Sequence, residues 1–158
     1  MRLSTKSRYA ITAMLDLALN GTEGPVTLAD ISENQNISLS YLEQLFASLR
    51  AKQLVRGVRG PGGGYFLARD PNTISIADIV CAVDEWVEYT RSPAYLSKAG
   101  DMAHSPTRGI WEDFSSQLFA FLSDITLASL VQRGEHHATS SGFRQQNAQI
   151  RRIRGQAA

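Results

Sequence analysis

Ile37-Ser38-Leu39-Ser40-Tyr41-Leu42-Glu43-Gln44-Leu45-Phe46-Ala47-Ser48-Leu49-Arg50 is the stretch that decides the fold. Leu42, Leu45, Phe46 and Leu49 recur at helical steps on one side. Ser40, Glu43, Gln44, Ala47 and Arg50 take the other. The spacing predicts an amphipathic helix from about Leu39 to Lys52. A polar turn, Asn36-Ile37-Ser38, separates it from a shorter helix that begins at Leu28 and ends near Gln35-Asn36. Thr27 precedes that shorter helix with Asp30 three residues on, the outline of a capping box. Two short helices in this order, the second ending in basic residues, form a helix-turn-helix candidate. The residues that follow strengthen it. Leu54-Val55-Arg56-Gly57-Val58-Arg59 alternates as a half-buried strand does. Gly60-Pro61-Gly62-Gly63-Gly64 makes a turn that needs residues tolerant of positive φ. Tyr65-Phe66-Leu67-Ala68 returns, and Asp70-Pro71 closes the hairpin. Helix-turn-helix plus hairpin is a winged helix, so the expected fold is mostly α with a two-stranded wing.

Working outward, Ser4 to Asn20 reads as a helix capped by Ser4 or Thr5 and stopped by Gly21. Ser75 to Val83 reads as another, with Ser75 as cap. Tyr89 to Thr107 carries Pro93, Gly100 and Pro106 with little periodicity and reads as a long loop. Arg108 to about Ser123 reads as a strong helix, on Trp111, Phe114, Leu118, Phe121 and Leu122. A short helix, Leu127 to Gln132, stops at Gly134, and a polar tail expected to be disordered starts at Glu135. The expected division is therefore a winged DNA-binding domain over 1–84, a loop over 85–107, a dimerisation helix and its short successor over 108–134, and a basic tail over 135–158. The long helix is apolar on more than one face. An ordinary core helix is one reading; the preferred one packs one face on the domain and another on a second copy.

At 158 residues, 43% hydrophobic and 20% charged, the chain has material for a core. No run is long and apolar enough to cross a bilayer. The N-terminus lacks a signal-peptide pattern, and the expected location is the bacterial cytoplasm. The single cysteine, Cys81, forbids an internal disulfide and reads as a small buried residue. Net charge is only +1, but no acid occurs from Gln44 to Arg69, which holds Arg50, Lys52, Arg56, Arg59 and Arg69. Such a stripe suits a polyanion, although any one of these residues also reads as solvated surface.

Catalytic patterns are absent: there is no G-x-S-x-G elbow, H-E-x-x-H pair or phosphate-binding G-x-x-x-x-G-K. The expectation is no enzyme, no small-molecule substrate and no metal site. Double-stranded DNA is the expected partner. Ser38, Ser40, Tyr41, Glu43 and Gln44 would present donors and acceptors to phosphates and base edges in the major groove. Arg59, with Arg56 and Arg69 flanking the wing, would reach a minor groove. Gly60 and the glycines after it would let backbone amides approach phosphates. Taken alone, Glu43 also reads as a solvated helix residue.

Arg2-Leu3-Ser4-Thr5-Lys6-Ser7-Arg8-Tyr9-Ala10, Ile37 to Phe46 and Val58-Arg59-Gly60-Pro61-Gly62-Gly63-Gly64-Tyr65 closely resemble the IscR-like winged-helix family of iron–sulfur cluster assembly regulators and redox and nitric-oxide sensors. The likeness runs from Met1 to about Gln132. It implies a homodimeric transcription factor that binds a pseudo-palindromic promoter site and controls iron–sulfur, redox or iron-related genes. It implies DNA roles for Ser38, Ser40, Glu43, Gln44 and Arg59, in agreement with the reading above.

The resemblance also implies a [2Fe-2S] or [4Fe-4S] cluster on three cysteines before the long helix, with a histidine at the helix start. This chain departs there. Thr90 to Arg108 contains no cysteine. Ser92, Ser97 and Ala103 stand in the ligand region, and Arg108, with His104 nearby, where the histidine would fall. Serine and alanine do not replace thiolates at such clusters, so a cluster-free chain is expected. Natural loss and deliberate cysteine replacement both account for this; the spacing of Ser92, Ser97 and Ala103 favours replacement. Two other function classes remain: an interaction adaptor that does not bind DNA, and a metalloenzyme using His104, His136 and His137, for which no spacing argues.

Overall fold

Ser4 starts the first helix because its hydroxyl accepts the Ser7 amide at 3.0 Å, satisfying an amide that has no partner within the helix. In the computed structural model, which describes residues 4–84 and 108–133, this helix, α1, spans Thr5–Asn20. Its buried side holds Ala10, Ala13, Met14 and Leu17. Thr27 caps α2 (Leu28–Gln35), accepting the Asp30 amide at 3.1 Å. The reciprocal half of that capping box differs from the usual one: the Thr27 hydroxyl itself donates to the Asp30 carboxylate at 2.7 Å. Asp16 is buried in α1 yet accepts from Asn20 and Gln35 at 2.9 and 2.6 Å, so its charge ties α1 to the end of α2.

The turn and α3 (Leu39–Ala51) follow. Asn36 ends α2 in the left-handed conformation, which asparagine tolerates. Gln53 does the same after α3, at φ 57°. There the Leu54 amide bonds to Leu49 O and the Gln53 amide to Arg50 O, both at 3.0 Å. This pair is a Schellman motif built without glycine. The wing pairs β1 (Val55–Val58) with β2 (Gly64–Leu67), antiparallel, with Arg56 opposite Phe66 and Gly57 opposite Tyr65. A third short partner joins β2: Val26 and Tyr65 exchange backbone hydrogen bonds of 3.0 and 2.8 Å.

A 3-10 turn at Pro71–Thr73 leads to α4 (Ile76–Val83). Asp70 opens that turn; hydrogen bonds from the Asn72 amide and side chain hold its carboxyl below the usual carboxylate range. Helix α4 carries a complete capping box between Ser75 and Asp78. It packs on α1, α3 and the long helix α5 (Arg108–Asp124). The chain then folds back on the domain. Ile76 N–H bonds to Ile125 O at 2.9 Å and Leu127 N–H to Ile74 O at 2.8 Å. Residues 127–133 are helical, and Leu127 is fully buried in the same core as Phe46, Ile74 and Ile79. The core of the winged domain thus takes in a residue from beyond position 108. Cys81 differs from the sequence expectation: it is half-buried rather than buried. The inward side of α4 is taken by Ile76, Ala77, Ile79, Val80 and Val83, and Cys81 lies on its flank. Among the described residues no helix is long and apolar enough to cross a membrane.

Two substitutions test this account in opposite directions. Gln53→Gly removes a left-handed side chain and should raise stability by about 0.5–1 kcal/mol. Gly64→Ala should lower it by more than about 1 kcal/mol, because a Cβ there would sit 2.6 Å from Val26 O, a backbone atom held by the strand bridge. Thermal unfolding checks both, at roughly 2–4 °C per kcal/mol.

Candidate DNA-binding surface

Burying Leu42, Leu45, Phe46 and Leu49 of α3 fixes what the helix shows to solvent. Ser38, Ser40, Glu43, Gln44, Ala47 and Arg50 are all exposed, in one continuous strip. Ser38 holds the N-cap position of α3 but, unlike Ser4, Thr27 and Ser75, makes no side-chain cap hydrogen bond. Its exposed side chain stands at the positive end of the helix dipole, an arrangement that suits a phosphate. Tyr41 differs from its neighbours. Its ring is half-buried and meets Tyr9 of α1 edge-on, with centroids 5.8 Å apart, so only part of it is open to a partner.

The wing is oriented by the same helix. Phe46 of α3 meets Tyr65 of β2 edge-on at 4.8 Å between centroids. The wing tip is a hydrogen-bonded turn: Gly63 N–H donates to Gly60 O at 2.9 Å. Pro61 and Gly62 occupy its central positions, and Gly62 has φ 73°, as a type II turn requires. Gly63 allows no side chain, since a Cβ would meet Val58 O at 2.4 Å. The tip is therefore a rigid, narrow strip of backbone. Arg59 sits at its base, exposed, and among the described residues no carboxylate pairs with it.

The other two cations expected at the wing are engaged elsewhere. The Arg56 guanidinium lies 4.8 Å above the Phe66 ring, a cation–π contact across the strands. Arg69 reaches Asp78 of α4 at 3.7 Å, both side chains being 43% exposed. That contact is worth little in stability, but it turns Arg69 toward α4. Nothing in the local sequence signals either partner, since Asp78 belongs to the next helix, past the 3-10 turn, and Phe66 reads simply as a strand residue.

The expected ligand region lies outside the described residues: Ser92, Ser97, Ala103 and His104 fall in 85–107, and the side chain of Arg108 is likewise outside. Among the described residues no group of histidine, cysteine or acidic side chains is placed to hold a metal ion.

A helix-turn-helix whose second helix displays a polar strip, joined rigidly to a glycine-tipped wing, defines a winged-helix DNA-binding transcription regulator. The comparisons agree and are more specific. The chain belongs to the Rrf2 family, described as iron-dependent transcriptional regulators, whose profile matches residues 3–133. It is 50% identical to the HTH-type transcriptional regulator IscR of Klebsiella pneumoniae, over 94% of this chain and 96% of that one. It is 53% identical to IscR of Escherichia coli, over 85% and 83%. Among solved structures it is similar to T. potens IscR, with TM-score 0.71 and 37% identity over 87% of this chain and 90% of that one. It is also similar to CymR, the global cysteine regulator of B. subtilis, with TM-score 0.66 and 31% identity over 84% and 98%. These relatives are named as regulators, and the chain is a transcription regulator rather than an enzyme.

The family description raises the question of iron. A cysteine-ligated cluster needs several thiolates, and the chain has one cysteine, on the flank of α4. The donor set does not fit such a site.

Arg59→Ala is expected to lower the slope of log K against log salt by about 1. It should also relax discrimination among DNA sites more than Lys52→Ala does. Fluorescence anisotropy across a salt series measures both.

Proposed function

We propose that two copies of this chain bind opposite halves of a pseudo-palindromic promoter site, without an iron–sulfur cluster, and regulate iron–sulfur, redox or iron-related genes in the bacterial cytoplasm. The observation that carries the reading is the exposed strip on α3 held at a fixed angle to the Arg59 wing through Phe46 and Tyr65. In this reading α3 enters a major groove. Ser38 and Ser40 meet phosphates, Glu43 and Gln44 meet base edges, and Tyr41 supports them from the helix flank. Each well-formed base contact contributes about 1–3 kcal/mol of discrimination. Arg59 enters the adjacent minor groove, where narrow A·T-rich segments concentrate negative potential. Gly60 and the turn after it bring backbone amides to the phosphates on either side.

The dimer is supported by α5. Ile110, Phe114 and Phe121 are 66%, 43% and 62% exposed, and their spacing sets them along one outward stripe. Leaving such a stripe in water costs roughly 25 cal/mol for every Å², and exposed apolar patches of this kind mark interaction sites. A second copy of the same stripe is its self-complementary partner under two-fold symmetry.

Supporting the cluster-free state is the sequence itself: one cysteine in the chain and none between Thr90 and Arg108. Under this reading the chain's DNA affinity does not respond to cluster loading.

Phe121→Glu should sediment as a monomer and bind a full palindrome about a hundred-fold more weakly, because the second half-site no longer benefits from tethering; analytical ultracentrifugation and anisotropy together check this. Anaerobically purified protein should show no visible charge-transfer absorption. The triple variant Ser92→Cys, Ser97→Cys, Ala103→Cys should turn brown on reconstitution with iron and sulfide.

A further inference from the structure

We propose that Leu39 is a specificity-determining residue that reads thymine through its 5-methyl group. This rests on the DNA reading above and deepens it.

Leu39 is the first residue of α3 and is 44% exposed. Among the described residues it is the one large, exposed apolar side chain on the recognition helix. Leu19 lies on α1, Val58 on the wing and Ile110, Phe114 and Phe121 on α5. The fold does not call for a leucine there. The apolar pair that sets the chain's entry into α3 flanks the cap instead: Ile37 before Ser38 and Leu42 at the fourth helical position, both in the core at 4% and 0% exposure. Helix formation gains little from leucine at a first position, where small and polar residues serve as well. The side chain is therefore an apolar group set in a polar neighbourhood, with Asn36, Ser38, Ser40 and Glu43 all exposed around it.

Its place on the helix narrows the occupant. Glu43 is one turn further along the same face, since residues four apart stack on a helix. A carboxylate on that face suits an exocyclic amino group. An alkyl group beside it can satisfy neither a donor nor an acceptor. Base edges in the major groove offer one apolar feature, the thymine C5-methyl. Phosphate oxygens offer none, and the sugar carbons are the same at every base pair. A leucine at the leading edge of α3 thus matches a thymine next to the base contacted by Glu43.

The test uses the full chain. It first selects its preferred duplex from a random-sequence pool. Each thymine of that duplex is then replaced singly by deoxyuridine, which keeps every hydrogen-bonding atom and removes one methyl group. One symmetry-related pair of positions should each lose about three- to five-fold in affinity. Leu39→Ala should weaken binding to the parent duplex by a similar factor and abolish the thymine–deoxyuridine difference at that pair. Leu39→Met, which keeps an apolar contact, should retain it. Both variants should unfold at the parental temperature. Deoxyuridine replacement without effect at every position, or an undiminished difference in Leu39→Ala, overturns the assignment of Leu39 while the selected duplex leaves the DNA reading standing. Enrichment of no duplex at all overturns both.

Discussion

The edge-on contact between Phe46 and Tyr65 is the constraint on which the arrangement rests. Phe46 is fully buried on the inner side of α3, so its outer side has no freedom to rotate about the helix axis. Tyr65 is locked along its backbone, by Gly57 of β1 on one edge of β2 and by Val26 on the other. Helix and wing are thus two ends of one packed unit. On the proposed reading, in which the protein meets two grooves of a duplex at once, this packing sets the angle between the two contacts before binding and lowers the ordering cost at that junction.

Much of this architecture was legible in the chain. The α3 periodicity, the Gly-Pro-Gly-Gly-Gly turn and the caps at Ser4, Thr27 and Ser75 all depend on near neighbours, and the structure carries each of them. What was not legible depends mostly on residues that only the fold brings together. Tyr41 reads as an open polar residue until Tyr9 is packed beside it. Arg69 reads as part of the wing until Asp78 draws it away. Ser7 is fully buried and donates to Asp84 at 3.3 Å, tying the start of α1 to the end of α4, a link that nothing near Ser7 in the chain signals. Gln53 carries no mark of its left-handed backbone, since glycine or asparagine is the usual signal and neither is present.

The surface of α3 shows which part of a site a sequence can specify. Its exposed residues follow from helical arithmetic once the buried ones are known. Their division of labour does not. That Ser38 leaves its capping role unfilled, and that Leu39 rather than Ile37 or Leu42 stays exposed, emerges only when the turn geometry is seen. At the other end, that a chain of an iron-dependent family holds one cysteine is visible from composition alone.

The tip of the wing has a consequence for how such a gene can drift. Every nonsynonymous single-base change in a glycine codon either adds a side chain or stops translation. At Gly62 the added group meets a positive φ, and at Gly63 and Gly64 it meets carbonyl oxygens of the backbone. Mutational paths that remodel this hairpin therefore begin with a destabilising step, whereas a change at the adjoining Arg59 adds no such clash, so the charge there can alter without reshaping the strip of backbone beside it.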